Sequence, residues 1–378
     1  MKFIKNYLEA AVNEGIPSLS LAVANKDGIV CAYTAGMADI GLDLPAAEDH
    51  LFGIGSITKT FVAVIILQLV EEGHLSLEST PLEILGDDRI GFVSGVGTAN
   101  VAQLLNHTSG IPSWEDDPDW IRQGRGKDLD VTRLWAPEDT LSFLKGSELL
   151  HQPGQAYAYA NTNYTLLGLI IEKITGRTIV EELRDRILKI VGIEDIYLEG
   201  FQHVPRERLA NRYHYATLEF ERDAGIHSSF TPVTKEPQHS NPLIDVSPSN
   251  LSVEWAAGGL LASARDLALF AAALRAGKLL KPESLAKMQD WFRFNEMQQV
   301  GHGLFRLKGS SGHGLCGHLG SVLGYTGAMH WFEEVDLAVV VLANVGNMHI
   351  GQDLPSAVSV ALNTSFIRKL MACAKGKV

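Results

Sequence analysis

The apolar positions of the chain follow strand-like periods near both ends and helix-like periods between them. Residues 3–14 have a helical pattern. Residues 18–39 contain two β-rich runs on either side of Lys26-Asp27-Gly28, a sequence typical of a hairpin turn. Helical patterns dominate residues 56–195, and strand patterns return after residue 300.

Residues typical of helix and strand ends locate the boundaries of several of these elements. Two predicted helices of the middle region, NTNYTLLGLIIEKITG and IVEELRDRILKIVG, both end in glycine. Ser263 and Asp266 have the spacing of a capping box, with Asp in place of the usual Glu. A second hairpin is predicted to turn near residues 333–336, and one amphipathic helix is predicted for residues 354–374.

Strands at both ends with helices between them predict an α/β (α+β) fold. We expect an antiparallel sheet flanked by helices, built from residues 1–55 and 255–378, with residues 56–254 inserted as a mainly helical domain. Residues 200–254 are rich in Pro, His, Ser and Asn and are predicted to be irregular. This segment, with Tyr213, Tyr215, Phe220 and Phe230, either walls or covers a substrate cleft or is a solvated excursion with strands of its own.

Composition narrows the class of protein. The 378 residues have a net charge of -12, which argues against nucleic-acid binding. The longest apolar run is about ten residues, too short to span a membrane. Glu9 and Glu14 interrupt the apolar start of the chain, so we expect no signal peptide and a cytoplasmic protein, unless a signal was removed.

Metal and disulfide chemistry are not expected. The three cysteines lie far apart and form neither a disulfide framework nor a metal-binding pair. None of the 13 histidines forms a tight pair, and His313 and His318, five residues apart, would point to opposite faces of a strand. His107 is interpreted as a structural residue. We therefore expect no metal and no cofactor.

The first candidate site is the pair Ser56 and Lys59. It precedes a run, residues 61–70, that is apolar on nearly every face and therefore predicts a buried helix ending at Gly73. We expect Ser56 in the first turn of that helix, where free N–H groups stabilise negative charge. Three residues apart on a helix, the two side chains can meet, and burial would lower the pKa of the lysine so that it can act as a base.

The spacing alone also permits an ordinary interpretation. Ser-x-x-Lys occurs twice more, at Ser142/Lys145 and Ser284/Lys287, in segments predicted to be solvated amphipathic helices. The first pair differs because it opens the all-apolar helix and follows Gly53-Ile54-Gly55, whose glycines let another backbone or a substrate come close. Without that context, Ser56 would simply mark the start of a buried helix.

Two further motifs carry candidate chemistry. Tyr159-Ala160-Asn161 is the only Tyr-x-Asn in the chain, and in an extended segment the two outer side chains face one way. The alternative is an Asn helix cap beside a buried Tyr. His318-Leu319-Gly320-Ser321 is typical of a strand along which a substrate backbone can pair. Its alternative is a glycine-rich edge strand with a solvated His.

The three motifs together resemble the serine β-lactamase and penicillin-binding protein superfamily. Their order and spacing are most similar to the class C-type branch, which includes β-lactamases, D-Ala-D-Ala carboxypeptidases, D-stereospecific aminopeptidases and amidases, and esterases. LLNHTSGIP at residues 104–112 and AAGGLLASARDLALF at residues 256–270 also match that branch. The resemblance covers roughly residues 15–345 and implies a β-lactamase/transpeptidase-like fold.

The resemblance also implies roles for the reacting groups. Ser56 would be the acyl-forming nucleophile, and Lys59 would deprotonate it or tune its partner. Tyr159 would act as a phenolate-type base and then protonate the leaving group. The sequence offers no cue for a dedicated deacylation glutamate.

Substrate-binding roles follow from the resemblance in the same way. Asn161 would hydrogen-bond Lys59 and the substrate amide. The backbone N–H groups of Ser56 and Ser321 would form the oxyanion hole, and Gly320 would let the substrate approach the strand.

One position departs from the commonest pattern of that superfamily. Many relatives have Lys where this chain has His318, and His is only partly charged near neutral pH. We therefore expect a serine hydrolase acting on a small, carboxylate-poor amide or ester, with D stereoselectivity as one prospect. A β-lactamase or D-Ala-D-Ala carboxypeptidase is the alternative activity, and a non-catalytic ligand-binding or assembly protein of the same fold is the alternative of another class.

Overall fold

The computed structural model describes residues 2–234, 242–308 and 314–374, so His313 lies outside the described residues. Its strands are β1 (Ser18–Asn25), β2 (Gly28–Asp39), β3 (Leu44–Pro45), β4 (Phe52–Gly53), β5 (Ile196–Leu198), β6 (Tyr213–Tyr215), β7 (Thr231–Pro232), β8 (Leu243–Asp245), β9 (Leu260–Ala262), β10 (Phe292–Arg293), β11 (Gln298–Val300), β12 (Phe305–Lys308), β13 (Gly314–Val322), β14 (Tyr325–Phe332), β15 (Ala338–Ala343) and β16 (Val345–Gly346).

Its α-helices are α1 (Lys2–Asn13), α2 (Thr58–Glu71), α3 (Pro81–Leu85), α4 (Asp87–Ile90), α5 (Val101–Leu105), α6 (Pro118–Arg125), α7 (Asn161–Thr175), α8 (Ile179–Leu183), α9 (Lys189–Val191), α10 (Leu218–Asp223), α11 (Trp255–Gly258), α12 (Ala264–Arg275), α13 (Pro282–Met288), α14 (Ala357–Ala361) and α15 (Thr364–Ala374). Short 3₁₀ helices span Gly55–Ile57, Trp114–Asp116, Asp139–Leu144 and Arg206–Arg208, and a π-helix spans Arg184–Leu188.

An antiparallel sheet joins the two ends of the chain. Within the described residues its nine strands follow the order β10-β11-β12-β13-β14-β15-β1-β2-β3. Strand β1 pairs with β15, so that Leu21 lies opposite Val341. Every residue of β15, AVVVLA, is apolar and buried, because helices cover both faces of the sheet. The predicted fold class, an antiparallel sheet flanked by helices, is confirmed.

Helices cover each face of the sheet with apolar side chains, and the helices of the two faces come from different parts of the chain. On one face, α1, α14 and α15 share a buried apolar cluster with the sheet that includes Leu8, Val341 and Phe366. On the other face, α12 packs on β1, β14 and β15, and that core continues to the apolar helix α2. The 3₁₀ helix Gly55–Ile57, which leads into α2, is held against strands β13 and β14.

The predicted final helix is wrong in one respect, because residues 354–374 form two helices. Helix α14 ends at Ala361 and α15 begins at Thr364. Between them, the side chain of Asn363 accepts a hydrogen bond from the backbone N–H of Phe366 at 3.1 Å. A side-chain cap of this kind starts a new helix, which an apolar period alone does not reveal.

The capping box predicted at Ser263 is only half formed. Its hydroxyl accepts a hydrogen bond from the backbone N–H of Asp266 at 3.1 Å. The carboxylate of Asp266 does not reach back, since it accepts from the backbone N–H groups of Glu194 and Asp195 at 2.9 and 2.7 Å. The shorter aspartate therefore anchors a neighbouring loop instead of completing the box.

The segment predicted to be irregular contains several short elements. Strands β6, β7 and β8 form a small sheet with β16, and α10 lies between β6 and β7. Four of its aromatic side chains are buried, at 5% exposure or less, namely Tyr213, Tyr215, Phe220 and Phe230, whereas Phe201 is 37% exposed. These four side chains pack inside the protein and not in solvent, while the strands agree with the alternative that gave the segment strands of its own.

The other Ser-x-x-Lys pairs differ in burial. Ser142 and Lys145 are exposed, at the end of a 3₁₀ helix. Ser284 is 6% exposed in α13, which corrects the expectation that it is solvated, while Lys287 remains exposed. Among the described residues, no helix combines the length and the apolar composition needed to cross a membrane.

Candidate active site

Ser56 lies in the 3₁₀ helix Gly55–Ile57, which runs directly into α2 at Thr58. The sequence predicted it in the first turn of the helix itself, so it lies slightly earlier than expected. Gly55 begins this turn with a φ of +53°, a conformation that favours glycine. A Cβ atom at Gly55 would lie 2.7 Å from the backbone nitrogen of Ser321.

Strand β13 is pressed against the same turn. A Cβ atom at Gly320 would lie 1.9 Å from the carbonyl oxygen of Ile54, a contact that no side chain permits. The glycine expected to admit a substrate is thus already required for the approach of another backbone. This packing fixes the position of Ser56 relative to the edge of the sheet.

Lys59 is fully buried, and its amine meets three oxygen atoms. Its Nζ lies 2.9 Å from Ser56 Oγ, 2.7 Å from Asn161 Oδ1 and 2.6 Å from the carbonyl oxygen of Ala257. Burial lowers the pKa of Lys59 to about 7, with a smaller contribution from the nearby Arg125 guanidinium, while Glu115 and Glu254 oppose the shift. Much of Lys59 is therefore an uncharged amine near neutral pH.

Tyr159 approaches the serine from the other side. Its hydroxyl donates a hydrogen bond to Ser56 Oγ at 2.7 Å. Burial raises the pKa of Tyr159 well above its ordinary value, although the hydrogen bond to Ser56 opposes the shift. The resting phenol is therefore protonated.

His107 supports the segment that carries Tyr159. Its imidazole stacks on the Tyr159 ring with centroids 4.3 Å apart, and its Nδ1 accepts from the backbone N–H of Ala160 at 3.2 Å. The residue has a φ of +58°, uncommon for a side chain of this size. These contacts agree with the structural role predicted for His107.

Asn161 begins α7 and is not its cap, since Ala160 holds the capping position. Its Oδ1 accepts from Lys59, and its Nδ2 donates to the carboxylate of Glu115. Its backbone N–H donates to the hydroxyl of Ser113 at 3.0 Å. The amide thus links the amine beside Ser56 to the largely buried carboxylate of Glu115, which is 16% exposed.

That carboxylate belongs to a charge network that sequence reasoning missed. Arg125, 1% exposed, donates to Glu115 and to Glu254, at 2.8 Å in each case. It also lies 3.1 Å from Nε2 of His349. Burial alone would raise the pKa of the Glu115 carboxyl, but Arg125 holds that pKa below its usual value. These residues are far apart in the chain and share no motif, so no local signal pointed to them.

The third motif lies on β13, as predicted, and its histidine is buried, unlike the solvated His of the alternative interpretation. His318 is 4% exposed, and its Nδ1 donates to the carbonyl oxygen of Leu319 at 2.6 Å. Burial, assisted by the nearby Lys59, lowers the pKa of His318 to about 3. The side chain is therefore neutral at pH 7, where partial charge was expected. Ser321 Oγ donates to Asn347 Oδ1 at 2.7 Å.

These residues share one cleft of about 1000 Å³. Ser56, Tyr159, His318, Gly320 and Ser321 all line it. An aromatic wall stands beside them, in which Tyr157 stacks on Phe294 at 4.1 Å and Phe305 lies edge-on to His318 at 5.0 Å. None of the four aromatic residues buried between residues 213 and 230 lines the cleft.

No metal-binding arrangement accompanies the site in the part of the chain that the structure describes, where no three His, Cys, Asp or Glu side chains could hold an ion. The amine of Lys59 and the phenol of Tyr159 both contact the hydroxyl oxygen of Ser56. This combination is suited to nucleophilic attack with proton transfer.

Comparison with known proteins decides the family. The model of the Beta-lactamase family matches residues 3–359. The chain belongs to this family. The family and the hydrolase class predicted from the motifs are thereby confirmed, and the fold agrees with solved relatives.

Two solved structures are similar over nearly the whole chain. A D-stereospecific amidohydrolase from Streptomyces sp. is 27% identical with a TM-score of 0.77, covering 94% of this chain and 96% of that one. The D-amino acid amidase from Ochrobactrum anthropi SV3, complexed with D-phenylalanine, is 26% identical with a TM-score of 0.82, covering 98% and 99%.

A curated relative matches a smaller part. Protein flp from Staphylococcus aureus strain MW2 is 30% identical over 187 residues, which are 49% of this chain and 36% of that protein. The match thus spans much less than the full length of this relative.

Proposed function

We propose that this protein hydrolyses a small amide or ester through an acyl-enzyme on Ser56. The observation that carries the proposal is the position of Ser56 Oγ between two proton-transfer groups, 2.9 Å from Lys59 Nζ and 2.7 Å from Tyr159 Oη. A hydroxyl is a weak nucleophile until a base takes its proton, and here the base is within direct reach.

The contacts of Lys59 suggest the direction of proton transfer. An uncharged amine has two N–H bonds and one lone pair. The two N–H groups donate hydrogen bonds to Asn161 Oδ1 and to the Ala257 carbonyl. The lone pair is then free to accept a hydrogen bond from the hydroxyl of Ser56. As Ser56 Oγ attacks the carbonyl carbon, its proton passes to Lys59, and the bond to the leaving group breaks when the tetrahedral intermediate collapses.

Tyr159 then acts as the acid. Its protonated phenol lies beside Ser56 Oγ and donates a proton to the departing amine or alkoxide, after which Lys59 returns a proton to the phenolate. Water attacks the acyl-enzyme by the reverse route and releases Ser56. The raised pKa of Tyr159 supports this order over a resting phenolate. The backbone N–H groups of Ser56 and Ser321 are the proposed oxyanion donors.

The charge of the cleft supports a substrate without a free carboxylate. Glu115 and Asp116 line the cleft near Ser56, and His318 is neutral. Among the described residues that line it there is no Lys or Arg. Arg125 already pairs with Glu115, so a free carboxylate would find no cationic side chain among these lining residues to bind it, whereas a neutral amide or ester, or one bearing a protonated amine, needs none.

The stereochemistry of the substrate is proposed from the relatives. Both solved structures described above bear names of D-specific hydrolases, which supports an acyl group of D configuration. Penicillins and cephalosporins carry a carboxylate, so we expect weak β-lactamase activity or none. Turnover should be compared on D- and L-aminoacyl amides, short-chain esters, D-Ala-D-Ala peptides and a chromogenic cephalosporin.

The nucleophile can be tested directly. A fluorophosphonate should label Ser56, and mass spectrometry of the digested protein should locate the adduct there. Ser56→Ala should abolish labelling and turnover. Ser142→Ala and Ser284→Ala are matched controls, because each removes the serine of another Ser-x-x-Lys sequence, and both should remain active. Labelling at another serine, or an active Ser56→Ala variant, would refute the proposal.

A further inference from the structure

The cleft continues beyond the reacting groups to the opposite face of the sheet. Residues of β13 that point to opposite faces, His318 and Gly320 on one and Leu315 and Leu319 on the other, all line it. A single amide or ester fills only a small part of about 1000 Å³.

Strand register defines this second part of the cleft. Leu307 lies directly opposite Leu315, and His330 lies opposite Gly317, so their side chains share the face of Leu319. Helix α14 packs on that same face. We call the space between them the rear lobe, lined by Leu307, Leu315, Leu319, His330, Leu354 and Val358.

The rear lobe is connected to Ser56 around the edge of β13. Pairing between β12 and β13 reaches Gly317 and goes no further along β13. Beyond it, Leu319 and Ser321 line the same cleft as Gly320 and Ser56. A chain attached to a group bound at Ser56 can therefore pass this edge and enter the lobe without crossing the sheet.

His330 is the unusual residue of the lobe. It is 3% exposed, and neither ring nitrogen has a hydrogen-bond partner among the described residues. Buried polar groups in proteins almost always have partners, so on the wall of a cavity this imidazole is available to a polar atom of a bound molecule. The other residues that define the lobe are leucines and a valine. Ser356, Ser359 and the exposed Asp353 also line the cleft.

We propose that the rear lobe binds an extended apolar chain of the substrate, with a neutral hydroxyl or carbonyl group of that chain against His330. This inference rests on the function proposed for Ser56 and names the class of substrate: an amide or ester with a medium-length alkyl or aryl chain. The absence of a cationic residue from the lining that the structure describes argues against a chain that ends in a carboxylate.

The test is the dependence of kcat/KM on chain length. Two series of esters should be compared, one lengthening the acyl group from acetyl to decanoyl and one lengthening the alcohol of a fixed acid. We expect kcat/KM to rise by about tenfold or more in one series, since each buried methylene adds binding energy. Leu354→Asp should remove the rise and leave the shortest ester within about twofold of wild type.

Control variants distinguish a loss of binding in the rear lobe from a general loss of folding or activity. Leu285→Asp changes a half-buried leucine of α13 outside the cleft and should leave the chain-length dependence intact. If Leu354→Asp does not fold, as judged by circular dichroism, Val358→Thr provides a milder change that should still reduce the rise. His330→Phe should keep the rise but abolish any preference for a hydroxyl-bearing chain over the unsubstituted one.

The outcomes distinguish this inference from the proposed function. Equal kcat/KM along both series, or a rise that Leu354→Asp and Val358→Thr leave unchanged, would overturn the rear lobe while leaving Ser56 as nucleophile. An unchanged preference in His330→Phe would overturn the role of His330. Failure of the fluorophosphonate to label Ser56, with no turnover of any ester or amide, would overturn the proposed function itself.

Discussion

At the scale of single residues, the decisive property is the burial of an amine. Lys59 has no exposed surface, yet its three nearest oxygens satisfy either protonation state. As an ammonium it can donate to all three, and as a free amine it donates to two and accepts from Ser56. The geometry therefore allows the proton to move without rearrangement, which is what acid–base catalysis requires.

The pH dependence of the reaction follows from this lysine. The proposed base, Lys59, has a pKa of about 7, so below that pH it is protonated and cannot accept the proton of Ser56. We expect kcat/KM to be constant above about pH 8 and to fall by about tenfold per pH unit well below 7. Tm should be measured at each pH to exclude unfolding, and a rate that stays constant down to pH 5.5 would contradict the assignment.

Lys59 and Tyr159 are expected to act as one unit because both contact the same oxygen atom. Lys59→Ala and Tyr159→Phe should each lower kcat by about a thousandfold, and the double variant should be little worse than either single one. Tyr157→Phe, which alters a neighbouring phenol that lines the cleft, serves as the control. Independent losses that multiply in the double variant would show that the two residues do not share a proton-transfer path.

His318 is expected to set the preference against free carboxylates. Its buried, neutral ring offers no fixed charge, whereas a lysine there would. His318→Lys should shift the ratio of kcat/KM for a free acid over its matched amide by about tenfold towards the acid. His203→Lys, at an exposed position, should leave the ratio unchanged. A wild-type enzyme that already prefers the acid would remove the basis for this assignment.

At the scale of elements, the site depends on how closely one turn approaches one strand. Gly320→Ala would place a methyl group against the backbone carbonyl of Ile54. Neither the strand that carries the methyl group nor that carbonyl can move away easily. We expect a loss of stability of about 1–3 kcal/mol and a larger loss of activity, because the turn carrying Ser56 must move. Denaturant unfolding and kcat/KM check this. Gly41→Ala, beside a flexible Asp39 side chain, should change little, and an equally tolerant Gly320→Ala would refute the close approach.

Most elements near the site could be predicted from the sequence because each has a strong local signal. The apolar run of α2, the hairpin turn at Lys26-Asp27 and the glycine after α7 are decided by neighbouring residues. The break at Asn363 was missed because capping depends on which competing hydrogen bond forms. The burial of His318 was missed for a similar reason, since it depends on packing against Phe305 of the neighbouring strand β12.

At the scale of the whole molecule, charges from distant segments meet behind the site. Glu115 precedes α6, Arg125 ends it, and Glu254 lies just before α11. Buried ions of this kind must be paired, and removing one would leave its partners uncompensated. Sequence reasoning cannot find such a network without knowing the fold, because its members share no spacing. The division of the chain at residues 55 and 255 into two domains stays a prediction.

Acid sensitivity is a further property of the whole molecule. Burial lowers the pKa of His214 and His318 to about 3, and of His302, His330 and His349 to about 4. In the unfolded chain these groups take up protons near pH 6.5, so between about pH 6.5 and 4 the unfolded state binds more protons than the folded state. The free energy of unfolding must then decrease as the pH falls through this window.

The size of this effect can be measured at one histidine. A histidine that stays neutral in the folded state lowers the free energy of unfolding by about 2 kcal/mol between pH 7 and pH 5. The value follows because pH 5 lies about 1.5 units below the pKa of the histidine in the unfolded chain. His302→Gln replaces a buried imidazole by a group that does not titrate, so the variant should lose less stability than wild type between pH 7 and 5. His203→Gln, at an exposed position, should behave as wild type. Denaturant unfolding at both pH values checks the difference, and equal losses in wild type and His302→Gln would show that these histidines do not govern acid unfolding.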